Sequence, residues 1–188
     1  MTLNAWSIAK PDLRELAVIK EIDVDDESPA RPFTVLDQRH VTIRAVRVPH
    51  LAKSYAYRID SDGGWAVFSG DTSPSEDLAD FAAGADVLVH EVMDLEALAR
   101  QGFPMEFADL FKQVRTEVAD VGRIAARSGV PTLVLSHFVP ATRTIALERW
   151  IERIEKDYDG RIIVPEDLMR MPVAKPSLAE GHKDHADD

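Results

Sequence analysis

Apolar and polar residues alternate along the first half of the chain, and this predicts β-structure from about residue 33. The alternation is clear over Val41–Val48 and again over Ser54–Asp60, as in half-buried strands. Residues 61–64, Ser-Asp-Gly-Gly, tolerate a positive φ and predict a hairpin turn. Trp65–Ser69 then returns as the next strand. The pattern therefore predicts an antiparallel meander that ends at Gly70-Asp71.

The rest of the chain alternates predicted helices with short buried strands. Ser73 and Glu76 have the spacing of a capping box, and Gly84 is placed to end that helix. Apolar stripes at helical spacing predict further helices over 95–99, 116–128 and 147–158. Apolar runs predict strands over 87–89, 132–135 and 161–164. Residues 101–114 are irregular in pattern and are interpreted either as a flap over a pocket or as packing.

The ends of three predicted strands carry residues that can bind a metal ion: His50, Asp71 and His137. Strand ends on one edge of a sheet lie close together, so ligands that are distant in sequence can converge there. Two neutral imidazoles and a carboxylate suit Zn²⁺, and also Mn²⁺ or Fe²⁺. Because an aspartate has two oxygens, Asp71 could bridge two metal ions. Such a centre generates hydroxide near neutral pH, which is the chemistry of metal-assisted hydrolysis.

Each of these residues also has a structural interpretation. A histidine after a strand often caps a turn or forms a core hydrogen bond, and Asp71 beside a helix start can form an Asx turn. The pair His90-Glu91 is interpreted as support for metal ligands or as a buried structural pair, in preference to direct ligation. The acidic run over 23–27 and the tail residues His182 and His185 are interpreted as solvated.

Length and composition limit the class of protein. The 188 residues suit one domain, predicted over 1–173 and followed by a disordered polar tail over 174–188. A net charge of -11 gives no general attraction to nucleic acid or to an anionic membrane, although it leaves room for a local basic patch. Without cysteine there is neither a disulfide nor a thiolate metal site. No apolar run is long enough to span a membrane and no signal-peptide layout is present, so a cytoplasmic location is expected.

An ordered series of motifs resembles the C-terminal half of the metallo-β-lactamase fold, and within it the ribonuclease Z and arylsulfatase-like branch of metal-dependent hydrolases. Between residues 40 and 170 the motifs are VRVPH, ending at His50, then AYRID, VFSGDT with Asp71, GADVLVHE, and LVLSHF with His137. The resemblance implies an α/β fold of two sheets between helices, an αββα sandwich, present here in part. It also implies a centre of two zinc ions, with His50 on the first, His137 on the second and Asp71 bridging them.

Two departures from the family pattern affect the functional prediction. The signature His-x-His-x-Asp-His is absent, and since the family places it in the N-terminal half, we expect this chain to be a C-terminal portion of a longer protein. Where ribonuclease Z has a histidine that protonates the leaving group, this chain has Arg115. Arginine cannot deliver a proton at neutral pH, but it can bind a phosphate or sulfate oxyanion, so Arg115 is predicted as the catalytic-site residue. The tRNA-binding insertion of that branch also has no room between His50 and Asp71.

The sequence is compatible with two classes of function. The first is a metal-dependent hydrolase of ester-type substrates, either phosphodiesters or sulfate esters, with nucleic acid as the less favoured substrate. The second is a non-catalytic remnant or binding module that lacks the missing metal motif. In either class we expect the 188 residues alone to bind metal weakly and to hydrolyse little. Because half of a sandwich exposes a sheet face, we also expect a homo-oligomer.

Overall fold

The computed structural model describes residues 31–141 and 145–173, together with positions 19, 21, 22 and 24. The tail over 174–188, with its two histidines, therefore lies outside the described residues. The same is true of the acidic run over 23–27, apart from position 24.

Seven strands form one mixed sheet in which the spatial order equals the chain order. The first four strands pair antiparallel, and the last four pair parallel. The strand bounds are β1 Phe33–Gln38, β2 Val41–Val48, β3 Ser54–Ser61, β4 Gly64–Phe68, β5 Val87–Met93, β6 Thr132–Val139 and β7 Arg161–Ile163. The predicted α/β class and the antiparallel meander β2–β3–β4 are thus confirmed.

Five α-helices connect or follow these strands in the described part of the chain. Their bounds are α1 Glu76–Ala82, α2 Leu95–Arg100, α3 Ala108–Lys112, α4 Val118–Ser128 and α5 Leu147–Ile154, with a 3₁₀ turn over Met105–Phe107 before α3. Within segment 101–114 the Phe103 ring meets the Phe111 ring edge-on at 4.8 Å between centroids, while Met105, Phe107 and Leu110 are each more than 40% exposed. These contacts lie inside the segment, so the flap and packing interpretations both stay predictions.

Strand direction decides where functional groups can meet. β2 and β4 are both antiparallel to β3, and β5 and β6 are parallel to β4. The C-terminal ends of β2, β4, β5 and β6 therefore lie along one edge of the sheet. In α/β proteins this is the edge at which ligands bind.

The main core lies between one face of the sheet and the helices α1, α4 and α5. It is continuous because inward-facing strand residues such as Leu88 and Leu133 pack with helix residues such as Leu78 and Trp150, all four fully buried. The Trp150 ring also meets the Phe138 ring edge-on at 5.4 Å. Burial of these large side chains is the main favourable term in folding.

The opposite face of the sheet carries a smaller apolar cluster. Ala66, Val87 and Val134 are buried there, and segment 163–173 contributes Ile163 and Met171. Farther along the same sheet, Tyr57 and Phe68 pair across β3 and β4 and are each 42% exposed. In the part of the chain that the structure describes, this face is thus only partly covered.

Several predicted boundaries were wrong. The first helix begins at Glu76 and is capped by the Ser75 hydroxyl, which accepts from the Leu78 N–H at 3.2 Å; the predicted cap at Ser73 is incorrect. Instead, the Ser73 N–H donates to the Pro49 carbonyl at 2.9 Å, which fixes Ser73 to the end of β2.

Two strands are longer than predicted, and two helices are shorter. β5 continues through His90 and Glu91 to Met93, and β6 continues through His137 to Val139. Polar residues interrupt the apolar runs in the sequence. The two strands nevertheless continue, because they pair with each other in parallel as far as Met93 and Val139. α4 begins at Val118 rather than at residue 116, and α5 ends before Tyr158.

Candidate functional site

The three predicted ligands converge at the C-terminal edge of the sheet. His137 Nδ1 lies 2.5 Å from Asp71 Oδ1, and His50 Nε2 lies 3.8 Å from Asp71 Oδ2. Asp71 therefore stands between the two histidines, as a bridging carboxylate would. Asp71 and His137 are 35% and 50% exposed, so this part of the cluster can be reached from solvent.

Backbone conformation directs Asp71 and His137 toward each other. Gly70 has φ +63°, and a Cβ there would lie 2.6 Å from the Tyr55 carbonyl oxygen, so only glycine fits at this turn. The turn places Asp71 just beyond β4. His137 has φ 44° within β6, a left-handed conformation that is rare for a residue with a side chain. Such positions cluster at functional sites.

Arg115 lies in the middle of this group. Its Nη1 atom is 3.1 Å from Asp71 Oδ1 and 2.9 Å from His137 Nδ1. The same atom lies 3.6 Å from Glu91 Oε2. The structure thus brings the predicted catalytic-site arginine into contact with two of the three predicted metal ligands, Asp71 and His137.

Glu91 connects Arg115 to the sheet. Its Oε1 accepts a hydrogen bond of 2.6 Å from the Thr116 N–H, and the carboxylate is only 2% exposed. Burial raises the pKa of Glu91 to about 7, although the Thr116 N–H and the Arg115 charge act in the opposite direction. Glu91 therefore contacts the cluster through Arg115 and Thr116, and its interpretation as support for metal ligands stays a prediction.

His90 alternates with Glu91 along β5, so it lies on the face of the sheet that carries Leu88 and the main core. It is fully buried, and burial lowers its pKa to about 4, so the ring is neutral at physiological pH. Its Nδ1 lies 2.6 Å from the Glu91 carbonyl oxygen. The two members of the predicted pair thus have different surroundings: Glu91 contacts Arg115 and Thr116, and His90 is enclosed on the other face of the sheet.

Thr116 is a site residue that sequence reasoning missed. Besides its N–H bond to Glu91, its hydroxyl donates to the Thr72 carbonyl at 2.8 Å, next to Asp71. This hydrogen bond joins the segment before α4 to the turn after β4. No local signal marks Thr116 for this role, because its partner is 44 residues away.

The types of residue present suit a metal ion, but their arrangement does not. The Asp71 oxygen and the His137 nitrogen contact each other, and a guanidinium lies against both. In the residues that the structure describes, no group of three or more His, Asp and Glu side chains is arranged to hold a metal ion. The assignment of His50, Asp71 and His137 as ligands stays a prediction.

Solved structures with a similar architecture identify the fold. The metallo-β-lactamase fold protein YhfI from Bacillus subtilis superposes with a TM-score of 0.53 at 21% identity, over 70% of this chain and 48% of that protein. Human tRNase Z, short form, gives a TM-score of 0.54 at 18% identity, over 77% of this chain and 46% of that one. The protein therefore has the metallo-β-lactamase fold, as its motifs predicted.

Sequence comparison finds relatives that are ribonuclease Z proteins. Ribonuclease Z of Mycobacterium tuberculosis is 35% identical over 139 residues, which are 73% of this chain and 50% of that protein. Ribonuclease Z of Mycobacterium marinum is 34% identical over 142 residues, 74% of this chain and 50% of that one. No protein-family model matches the chain. Over the matched residues the chain is therefore similar to ribonuclease Z proteins, and it spans about half the length of the curated relatives it matches.

Among the described residues, no helix is both long enough and apolar enough to cross a membrane.

Proposed function

We propose that this chain is part of a metal-dependent hydrolase of phosphodiesters, to which it contributes His50, Asp71 and His137. The observation that carries the proposal is the convergence of these three side chains, from segments up to 87 residues apart in number (50 to 137), on one edge of the sheet. The relationship to ribonuclease Z supports a phosphodiester substrate over a sulfate ester. Zinc is the proposed metal, with two ions in the complete centre.

The remaining metal ligands, in this proposal, come from outside these 188 residues. The sequence has no His-x-His-x-Asp-His, and its matched relatives are about twice as long as the matched region. Three donors are too few for two zinc ions that each prefer about four ligands. Bound metal would supply a hydroxide nucleophile and charge stabilisation.

Arg115 is proposed to bind the substrate phosphate. Its planar guanidinium presents several N–H donors in the geometry that matches a phosphate oxyanion. The side chain is 17% exposed, so it is held in place by its neighbours yet reaches the same solvent-facing cluster as Asp71. Arg115 binds and orients in this proposal, and proton transfer to the leaving group falls to another group or to water.

Replacement of Asp71 by alanine is expected to abolish metal-stimulated hydrolysis of bis(p-nitrophenyl) phosphate. With added Zn²⁺ or Mn²⁺, the chain alone is expected to hydrolyse slowly, because its centre lacks ligands. The Asp71→Ala variant is expected to fall to the rate of metal in buffer. Asp77→Ala, which removes an exposed carboxylate from the first turn of α1, serves as the matched control and is expected to keep the rate of the parent chain.

Two results would contradict this proposal. Hydrolysis that is unchanged in Asp71→Ala would show that the reaction takes place elsewhere. Rapid turnover by the chain alone, lost on the same substitution, would show that three ligands are sufficient and that no others are needed.

A homo-oligomer is also proposed, on the basis of the partly covered sheet face. Tyr57 and Phe68 lie side by side on this face and are substantially exposed. Exposed apolar surface of this kind favours association between copies. The chain is expected to elute as a dimer or larger species, and the double variant Tyr57→Ser/Phe68→Ser is expected to shift it toward the monomer. Light scattering coupled to chromatography decides the question; a sharp monomer peak for the unaltered chain would refute it.

A further inference from the structure

Arg115 lies against two of the predicted metal ligands, Asp71 and His137. One guanidinium nitrogen, Nη1, lies 2.9 Å from His137 Nδ1 and 3.1 Å from Asp71 Oδ1. The second nitrogen, Nη2, lies 3.3 Å from His137 Nε2. A positive group thus already faces the oxygen and the nitrogen that a metal ion would need.

The contacts around His137 compete for the same ring atom. Nδ1 lies close both to Asp71 Oδ1, which can only accept when ionised, and to Arg115 Nη1, which can only donate. If Nδ1 carries a proton, it can donate to Asp71 Oδ1, but its N–H then faces an N–H of Arg115. If Nδ1 carries a lone pair, it can accept from Arg115, but the lone pair then faces the Asp71 oxygen. Either neutral tautomer leaves one of the two contacts at Nδ1 unsatisfied, so Asp71, His137 and Arg115 cannot all be satisfied hydrogen-bond partners at once.

The backbone holds Arg115 at the site. The Arg115 N–H donates to the Phe111 carbonyl at 2.8 Å, and the next residue, Thr116, bonds to both Glu91 and Thr72. Carboxyl oxygens of Asp71 and Glu91 lie 3.1 Å and 3.6 Å from the guanidinium nitrogen Nη1. The arrangement is a built contact and not a chance approach of a surface arginine.

We propose that Arg115 competes with the metal ion for Asp71 and His137, and that it sets the metal affinity of this chain. A cation bound between the two ligands would be repelled by the guanidinium, so metal binding requires Arg115 to move away. Until then, the arginine keeps the two ligand side chains together. This inference rests on the proposed function, because it takes Asp71 and His137 as metal ligands.

Zinc affinity of matched variants tests the inference. The dissociation constant is measured at pH 7.5 by competition with a chromophoric chelator, using the full 188-residue chain without an added histidine tag. Arg115→Met, which keeps most of the side-chain volume, is expected to bind zinc at least tenfold more tightly than the parent. Arg123→Met on α4, where the side chain is 57% exposed, is expected to bind like the parent. The tail residues His182 and His185 are common to all variants and cannot create a difference.

A second substitution tests separately whether Asp71 is a metal ligand and whether Arg115 competes with the metal ion. Asp71→Ala in the Arg115→Met background is expected to remove the gain in affinity. If the parent and Arg115→Met bind zinc equally and Asp71→Ala weakens both, the competition is refuted while the ligand assignment stands. If Asp71→Ala has no effect in either background, the ligand assignment is refuted as well. Arg115→Gln repeats the measurement with a polar side chain, and circular dichroism confirms that each variant is folded.

Discussion

Replacement of Asp94 by alanine is expected to lower the free energy of unfolding by roughly 3 kcal/mol, because it removes the centre of a buried ionic network. Asp94 is fully buried at the end of β5 and accepts hydrogen bonds from Arg149 at 2.6 Å and from Arg153 at 2.7 Å. Its carboxylate also caps α2 through the Ala97 N–H at 2.9 Å. Without Asp94, two arginines that are about three-quarters buried lose their main partner.

The same network holds the segment that carries Arg115. Arg153 also bonds to Glu117 at 2.5 Å, and Glu117 in turn accepts from the Leu95 N–H at 3.0 Å. The loss of Asp94 is therefore expected to loosen the start of α4 as well as α2. Urea unfolding measures the effect, with Asp109→Ala as the control, since Asp109 is 93% exposed and its removal is expected to cost less than about 0.5 kcal/mol. Equal stabilities for the two variants would contradict the network.

The Glu91→Gln substitution is expected to change the pH dependence of stability. Between pH 4.5 and pH 7.5, the free energy of unfolding of the parent chain is expected to fall by about 3 kcal/mol relative to that of the variant. Burial raises the pKa of Glu91 from 4.5 to about 7, so its protonated form is favoured in the folded chain. The stability that this proton confers is fully present below pH 4.5 and is lost as the pH rises through 7. Glutamine keeps the acceptor for the Thr116 N–H but cannot ionise, so the loss is absent in the variant.

His90 has the opposite effect over the same range. Burial lowers its pKa from 6.5 to about 4, so the unfolded chain binds the additional proton. The stability due to neutral His90 is present above pH 6.5 and is lost as the pH falls toward 4. In the parent chain the effects of Glu91 and His90 on the free energy of unfolding largely cancel between pH 4.5 and pH 6.5. In Glu91→Gln only the effect of His90 remains, so the free energy of unfolding is expected to rise with pH over this range. Urea unfolding at three pH values measures this, with Glu155→Gln at an exposed site as the control; parallel profiles for the parent and Glu91→Gln would contradict it.

Much of the fold followed from local patterns. Alternation over much of each stretch indicated β2 and β3. The Ser-Asp-Gly-Gly turn between β3 and β4 indicated that those two strands run antiparallel. Once the directions were set, the positions of His50, Asp71 and His137 at strand ends predicted that they would meet. The convergence was predictable because it follows from strand direction, whereas the left-handed backbone at His137 within β6 was not.

Other features depend on tertiary contacts that no local pattern reports. Ser73 and Ser75 could each cap the helix through a hydroxyl group. Ser75 is the cap in the structure, and the Ser73 N–H instead donates to the Pro49 carbonyl. The contact between Arg115 and His137 joins residues 22 apart in the sequence, and the ordering bond from Thr116 spans 44. For the same reason, the sequence predicted Arg115 as a partner for substrate but not as a neighbour of the metal ligands.

The central claim, that Asp71 with its two histidines is a metal site, is tested most directly by anomalous X-ray diffraction at the zinc edge. Crystals of the Arg115→Met variant grown with Zn²⁺ are predicted to show an anomalous peak about 2.0–2.2 Å from an Asp71 oxygen and from a ring nitrogen of His137 or His50. A map with no peak at these residues, or with zinc bound only at other side chains, would contradict the claim.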